Sequence, residues 1–245
     1  GESLFNDATA IVLFGIILSI ALGQSEPDLT SAIITFCKVF FGGIIVGSML
    51  GYIAALLVRL INVSVPHIVV ITLLLAYGTF YFAEHLLHVS GIVAVMFAAL
   101  LFKKSAQSQL ADVFTGLHSV WESLGFIANI FVFVLLGLVV SLNMFTEMWL
   151  AIMLAIIGAF IARVAAVYSS VWLNRFTLGQ PINPKYPAIM IWGGLRGAVT
   201  IALVLSLPTE LPYWWTIQSI GFGIVLFTLI VQATTNPMLV RKLNI

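Results

Sequence analysis

The chain has 245 residues, 62% of them hydrophobic and 8% charged, with a formal net charge of +1. Soluble domains carry roughly 25% charged residues, so composition excludes a water-soluble globular protein; the net charge argues neither for nor against nucleic acid, but no basic patch exists to bind it. Cys37 is the one cysteine, which excludes an internal disulfide and a cysteine-ligated metal site; the sequence reads it as a small buried hydrophobe.

The apolar residues come in repeated stretches of about 20, the length that crosses a hydrocarbon core as helix. Strand-like alternation is absent. The expected fold is therefore an all-α, polytopic transmembrane helical bundle. Eight spans are predicted, at 2–23, 32–60, 66–87, 90–103, 118–142, 147–173, 186–207 and 213–240. Span 90–103 is short and is expected to be buried by neighbours or to run on past Lys104. Pro27, Pro66, Pro181, Pro184, Pro208 and Pro212 fall between spans, where helices should stop. The chain begins at Gly1 inside a polar motif, without an initiator Met or a signal sequence. It is expected to be a piece of a longer protein, forming one transmembrane domain over 1–245.

Charge alternates along the connections. "GQSEPDLTS" after the first span holds only acids, and Glu84, Glu147 and Glu210 mark later connections on the same side. Arg59, Lys103, Lys104, Arg175, Lys185, Arg241 and Lys242 all fall on the other side. The positive-inside rule then places the C-terminus in the cytoplasm of a multi-pass cell-membrane protein. Trp149, Trp172, Trp214 and Trp215 lie at span ends, as interfacial anchors do. His67, His85, His88 and His118 show no paired ligand spacing.

Three basic residues remain. Lys38 lies near the end of its span and can snorkel. Arg163 and Arg196 are deep, where an ionised group costs about 2.5–3.5 kcal/mol on insertion scales. They need partners or water, and the default reading of such groups is an ion or proton pathway, against a purely structural ion pair.

The first span opens "ESLFNDATAIVLF", with two acids and an amide at the head of an apolar run. At about 100° per residue Glu2, Asn6 and Thr9 share one face, and Ser3 and Asp7 form an adjoining i, i+4 pair. Leu4, Phe5, Ala8, Ile11 and Val12 lie opposite, so a polar face turned inward is predicted, with an apolar back that faces lipid or protein. Its oxygens are hard ligands suited to a hard cation. Withdrawing a carboxyl from water favours its protonated form, so one such group can hold either a proton or a cation.

The second informative stretch is "IWGGLRGAVTIALVLSLP", 191–208, where Gly193, Gly194 and Gly197 surround Arg196. Two readings stay open: an interrupted helix that frees backbone groups at a binding site, or close packing through Gly193 and Gly197. For Gly43, Gly47 and Gly51 the packing reading is preferred.

Together these stretches resemble the electroneutral cation:proton antiporters, the branch of NhaP-type and NHE-type Na⁺/H⁺ exchangers. "SGIVAVMFAALL" (90–101), "ANIFVFVLLG" (128–137) and "ARVAAVY" (162–168) resemble further segments of that family, in the expected order. The resemblance implies a thirteen-helix, inverted-repeat fold of which this chain supplies the last eight helices, and a homodimer in the bilayer. It implies Asp7 as the cation- and proton-binding carboxylate, Ser3 as a further ligand, and Asn6 as the amide that marks the electroneutral branch. Glu2 would pair with Arg163. Gly193, Gly194, Arg196 and Gly197 would form the interrupted crossover helix. Its counterpart, with a Thr-Asp-Pro pattern, is expected upstream of Gly1.

The implied activity is secondary active exchange of Na⁺, Li⁺ or K⁺ for H⁺, serving pH and sodium homeostasis, with no cofactor and no resident metal. No P-loop is present. The alternatives are a cation channel and a non-transporting membrane scaffold. An intramembrane enzyme is disfavoured, since Ser3 and Ser90 lack a base at matching depth and no HExxH occurs.

Overall fold

The structure is a computed structural model that describes residues 2–24, 28–60, 64–106, 111–177, 185–194 and 197–243. Of residues 2–5, 111, 112, 114, 175, 177 and 243 it describes the backbone alone. The chain divides into two compact units, Gly1–Ala128 and Asn129–Ile245.

In the first unit, α1 (Glu2–Ala21) is followed by α2 (Leu29–Arg59), α3 (Val65–Tyr81), α4 (Gly91–Ala106) and the start of α5 (Ala111–Val139). Local chemistry sets several of these ends. The Asp28 carboxylate accepts from Ser31 N at 3.0 Å and caps α2. Pro66 occupies the first turn of α3, where its missing N–H costs nothing. α3 runs on into a π-helical turn, Phe82–Leu86, and His88, at φ 51°, makes the left-handed corner before α4. Glu84 Oε2 accepts from Gly91 N at 2.8 Å, satisfying the first free N–H of α4.

The closest packing in this unit joins α2 to α4. A Cβ on Gly43 would lie 2.8 Å from the Ser90 carbonyl oxygen, and Cβ atoms on Gly47 and Gly51 would run into the carbonyls of Ala94 and Ala98. The glycines thus let one backbone lie against the other, as the packing reading requires. α4 buries Ala94, Ala98, Phe102 and Ala106 at four-residue spacing. It is both longer than its predicted span and buried, so it need not cross lipid unaided.

The second unit holds the rest of α5, then α6 (Leu142–Glu147), α7 (Trp149–Thr177), α8 (Lys185–Trp192) and α9 (Ala198–Leu205). α10 (Trp214–Phe227), a π-helical turn (Thr228–Gln232) and α11 (Ala233–Leu243) follow as one rod. Its core gathers Leu136, Met144, Ile201, Val204, Phe222 and Val225.

Among the described residues, five helices are long and apolar enough to cross a membrane: Leu29–Arg59, Val65–Leu86, Thr115–Val139, Trp149–Asn174 and Trp214–Lys242. They match five of the eight predicted spans. Of the other three, 2–23 forms α1, 90–103 forms the short α4, and 186–207 is divided between α8 and α9. Large apolar residues such as Ile34, Phe41, Ile45, Phe126, Phe131 and Leu138 stand exposed, as a lipid-facing surface requires. Cys37 corrects the sequence reading: it is exposed, not buried. In a membrane helix the outward face is also apolar, so a weakly polar thiol fits there as well as in a core.

Candidate functional site

The polar residues of α1 lie on its first turns. Asn6 is exposed, and Asp7 and Thr9 are half-buried. Ala8 and Val12, 2% and 5% exposed, are the α1 residues that pack into the first unit, against Phe40 and Val93. The apolar back of α1 is thus the side covered within this unit, with Asp7 and Thr9 half-buried beside it. The reason is that α2 and α4 present apolar residues there, and these match Ala8 and Val12 rather than an acid. The α1 backbone is helical from Glu2, so Ser3 and Asp7 stand one turn apart. The side chains of Glu2 and Ser3 lie outside the described residues.

A cavity of about 340 Å³ runs along α1 from Ile11, one turn beyond Asp7, to Ile20. Ser19, Ser31, Thr35, Glu84 and Ser90 give it polar walls. It lies beside the helix that carries Asp7 and is built from the first unit alone.

The second cluster lies at the division of span 186–207. α8 ends at Trp192, Gly193 turns, and α9 starts after Gly197, whose backbone is extended at φ −111°, ψ −157°. Among the described residues, Gly193, Gly194 and Gly197 are not helical, and a Cβ on Gly197 would meet no described atom within 4 Å. Arg196 lies outside the described residues.

Arg163 sits half-buried at the midpoint of α7 and reaches this break. Its Nε donates to Met190 O, in the last turn of α8, at 2.8 Å. A cation there answers the partial negative charge of a helix C-terminus. A Cβ on Gly194 would collide with the Arg163 guanidinium, so glycine is what allows the side chain to lie across the chain at that point. Trp192 Nε1 donates to Thr235 Oγ1 at 2.8 Å, and its ring meets Phe160 edge-on at 6.0 Å between centroids. The break is thereby held from α7 and α11 at once.

The structure thus brings Arg163, Gly193 and Gly194 together, and Asp7 stands in α1 with Asn6 beside it. The Glu2–Arg163 pairing rests on a side chain outside the described residues. Sequence reasoning missed Thr228, Gln232 and Asn236, which surround the break from α10–α11. The signal is present in "TLIVQATTNP", a run of amides and hydroxyls inside an apolar span. Glu122 was also passed over; with His118 and Lys103 it lines a separate cavity of about 790 Å³ between α3, α4 and α5. No group of three His, Cys, Asp or Glu able to hold a metal occurs among the described residues.

The transmembrane sodium/hydrogen exchanger family model matches residues 1–242. The chain belongs to the sodium/hydrogen exchanger family. It is 34% identical over its whole length to the Na⁺/H⁺ antiporter NhaH of Halobacillus dabanensis, covering 60% of that protein. It is 34% identical to the Na⁺/H⁺ antiporter NhaP of Pseudomonas aeruginosa, with 99% of the chain aligned to 58% of that relative. The Na⁺/H⁺ antiporter NhaG of Bacillus atrophaeus is also 34% identical, and the chain covers 46% of it. The chain therefore spans about half to three-fifths of the length of these relatives. It is a multi-pass membrane protein of a transporter family, in line with its apolar helices.

Proposed function

We propose that the intact protein exchanges a monovalent cation, Na⁺ or its neighbours Li⁺ and K⁺, for H⁺ across the cell membrane. The observation that carries this reading is the interrupted helix at Gly193–Gly197 with the Arg163 guanidinium laid against it, in a chain that the exchanger family matches almost from end to end. Relatives named as Na⁺/H⁺ antiporters supply the choice of ions.

The chemistry follows from one carboxylate. Asp7 holds a proton when no cation is present and yields it when a cation takes its place, with Ser3 and Asn6 adding hard oxygen ligands. Because the same oxygen atoms serve both ions, the two occupancies exclude each other, and transport in one direction drives the other ion back. Glu2 pairs with Arg163 and offsets the cost of two deep charges. Gly193, Gly194, Arg196 and Gly197 form the crossover, whose partner helix comes from chain outside these residues. The protein works as a homodimer in the bilayer, with its C-terminus in the cytoplasm, as a thirteen-helix bundle.

The test uses the full-length protein in everted membrane vesicles, with a dye quenched by an imposed acid interior. Addition of NaCl should relieve the quenching for the wild type and leave it unchanged for Asp7→Asn. Exchange retained by Asp7→Asn would overturn the role given to that residue.

A further inference from the structure

The rod α10–α11 is not regular. At Thr228–Gln232 it opens into a π-helical turn, in which Ala233 N donates to Thr228 O, five residues back. Such local widenings are frequent at functional sites. The widening rotates every residue beyond it by about a quarter turn relative to an unbroken α-helix. Thr235 lies just past it, and in that rotated position its hydroxyl meets the end of α8.

The hydroxyl has a fixed sense. Trp192 Nε1, which can only donate, gives its hydrogen to Thr235 Oγ1 at 2.8 Å. Thr235 Oγ1 in turn donates to Val231 O at 2.6 Å, with Gln232 O farther off at 3.4 Å, both inside the π-helical turn. One hydroxyl thus joins the two irregular points of the second unit, the end of α8 and the widened turn of the rod. Other contacts lie around the same point. Gly193 rests against the Asn236 amide, where a Cβ would stand 3.8 Å from Nδ2. Phe160, about one turn before Arg163 on α7, holds the Trp192 ring edge-on. Trp192 itself stands between Met190, whose carbonyl receives Arg163 Nε, and Gly194, against which the guanidinium lies.

We propose that Thr235 is a positioning residue for the crossover: through Trp192 it tethers the end of α8 to the rod, and so sets where the Met190 carbonyl and the chain at Gly193–Gly194 stand. A helix that stops has no following turn to hold its last carbonyls, so their direction depends on what grips the end from outside. α7 grips it through Arg163 and Phe160, and α11 grips it through Thr235. The π-helical turn is what brings the threonine round to that task. Thr235 acts on the ion only through the backbone it holds in place. The effect on ion affinity rests on the exchange reading above; the tether does not.

Three substitutions in the full-length protein decide it. Thr235→Val keeps the shape and removes the hydroxyl, Thr235→Ser keeps the hydroxyl, and Trp192→Phe removes the donor. Amide hydrogen exchange of residues 185–194, read by mass spectrometry, reports the tether itself. Thr235→Val should speed exchange there several-fold, with α9 and α10 at wild-type rates, and Thr235→Ser should restore protection. Unchanged protection at 185–194, or a loss spread evenly over α7–α11, overturns the proposal. In the dye assay Thr235→Val should raise the half-saturating Na⁺ concentration several-fold, and Thr235→Ser should bring it back. Combining Thr235→Val with Trp192→Phe should shift it no further than either alone, since both remove one interaction. A bond that served stability alone would lower the melting temperature and leave half-saturation of the folded protein where it was; that result, or additive shifts, overturns the positioning role. If Thr235→Val gives no folded protein, Trp192→Phe is read in its place against the same outcomes. Should the wild type show no exchange of Na⁺ for H⁺, the functional reading falls while the amide measurement still decides the tether.

Discussion

At the scale of single residues, the second unit carries a charge inside an apolar helix, tied to the end of a neighbouring one. Arg163 is at the midpoint of a 29-residue helix, and its Nε is committed to the end of α8. Gly194 and Gly197 look alike in sequence, yet they do different work. Gly194→Ala forces a Cβ into the guanidinium and should cost about 1–3 kcal/mol, the range for overpacking a filled site. Gly197→Ala meets no described atom within 4 Å and should be near neutral in melting temperature. Equal effects would contradict the assigned position of Arg163. On the proposed pairing with Arg163, Glu2→Ala should lower the yield of folded full-length protein, since removing one partner of a buried ion pair costs about 3–5 kcal/mol. Wild-type yield of Glu2→Ala, with transport lost, would instead make Glu2 part of the chemistry.

At the scale of elements, α2 and α4 meet backbone to backbone through three glycines. Gly47→Val should be among the most damaging substitutions in the first unit, on the order of 3 kcal/mol or more, because the atom it strikes is a carbonyl that cannot rotate away. Detergent-solubilised melting of the full-length protein measures it, and an unchanged melting temperature would mean that the helices are not in contact there. This contact was legible in the sequence because Gly43, Gly47 and Gly51 repeat at the spacing of one helix face. The break between α8 and α9 was legible in the glycines as one of two readings, interruption or close packing. The π-helical turns at Phe82–Leu86 and Thr228–Gln232 were not legible, since one extra residue per turn leaves an apolar run apolar. Cys37 fails for a related reason, because in lipid the outside of a helix is as apolar as its inside.

At the scale of the whole molecule, composition and the alternation of charge carried most of the reading. Five membrane-length helices, and the burial of the short α4, follow from run length and proline placement. The orientation proposed from Arg59, Lys103, Lys104, Arg175, Lys185, Arg241 and Lys242 makes its own prediction. A reporter fused after Ile245 should be fluorescent as green fluorescent protein and inactive as alkaline phosphatase, and the reverse would invert the topology. The account as a whole depends on one carboxyl of α1 whose proton and cation exclude each other. The most direct measurement is the number of protons released as Na⁺ binds to the purified full-length protein, taken by calorimetry in buffers of different ionisation enthalpy. The account predicts close to one proton released per Na⁺ bound, and none released by Asp7→Asn. Sodium binding that releases no proton from the wild type would contradict it.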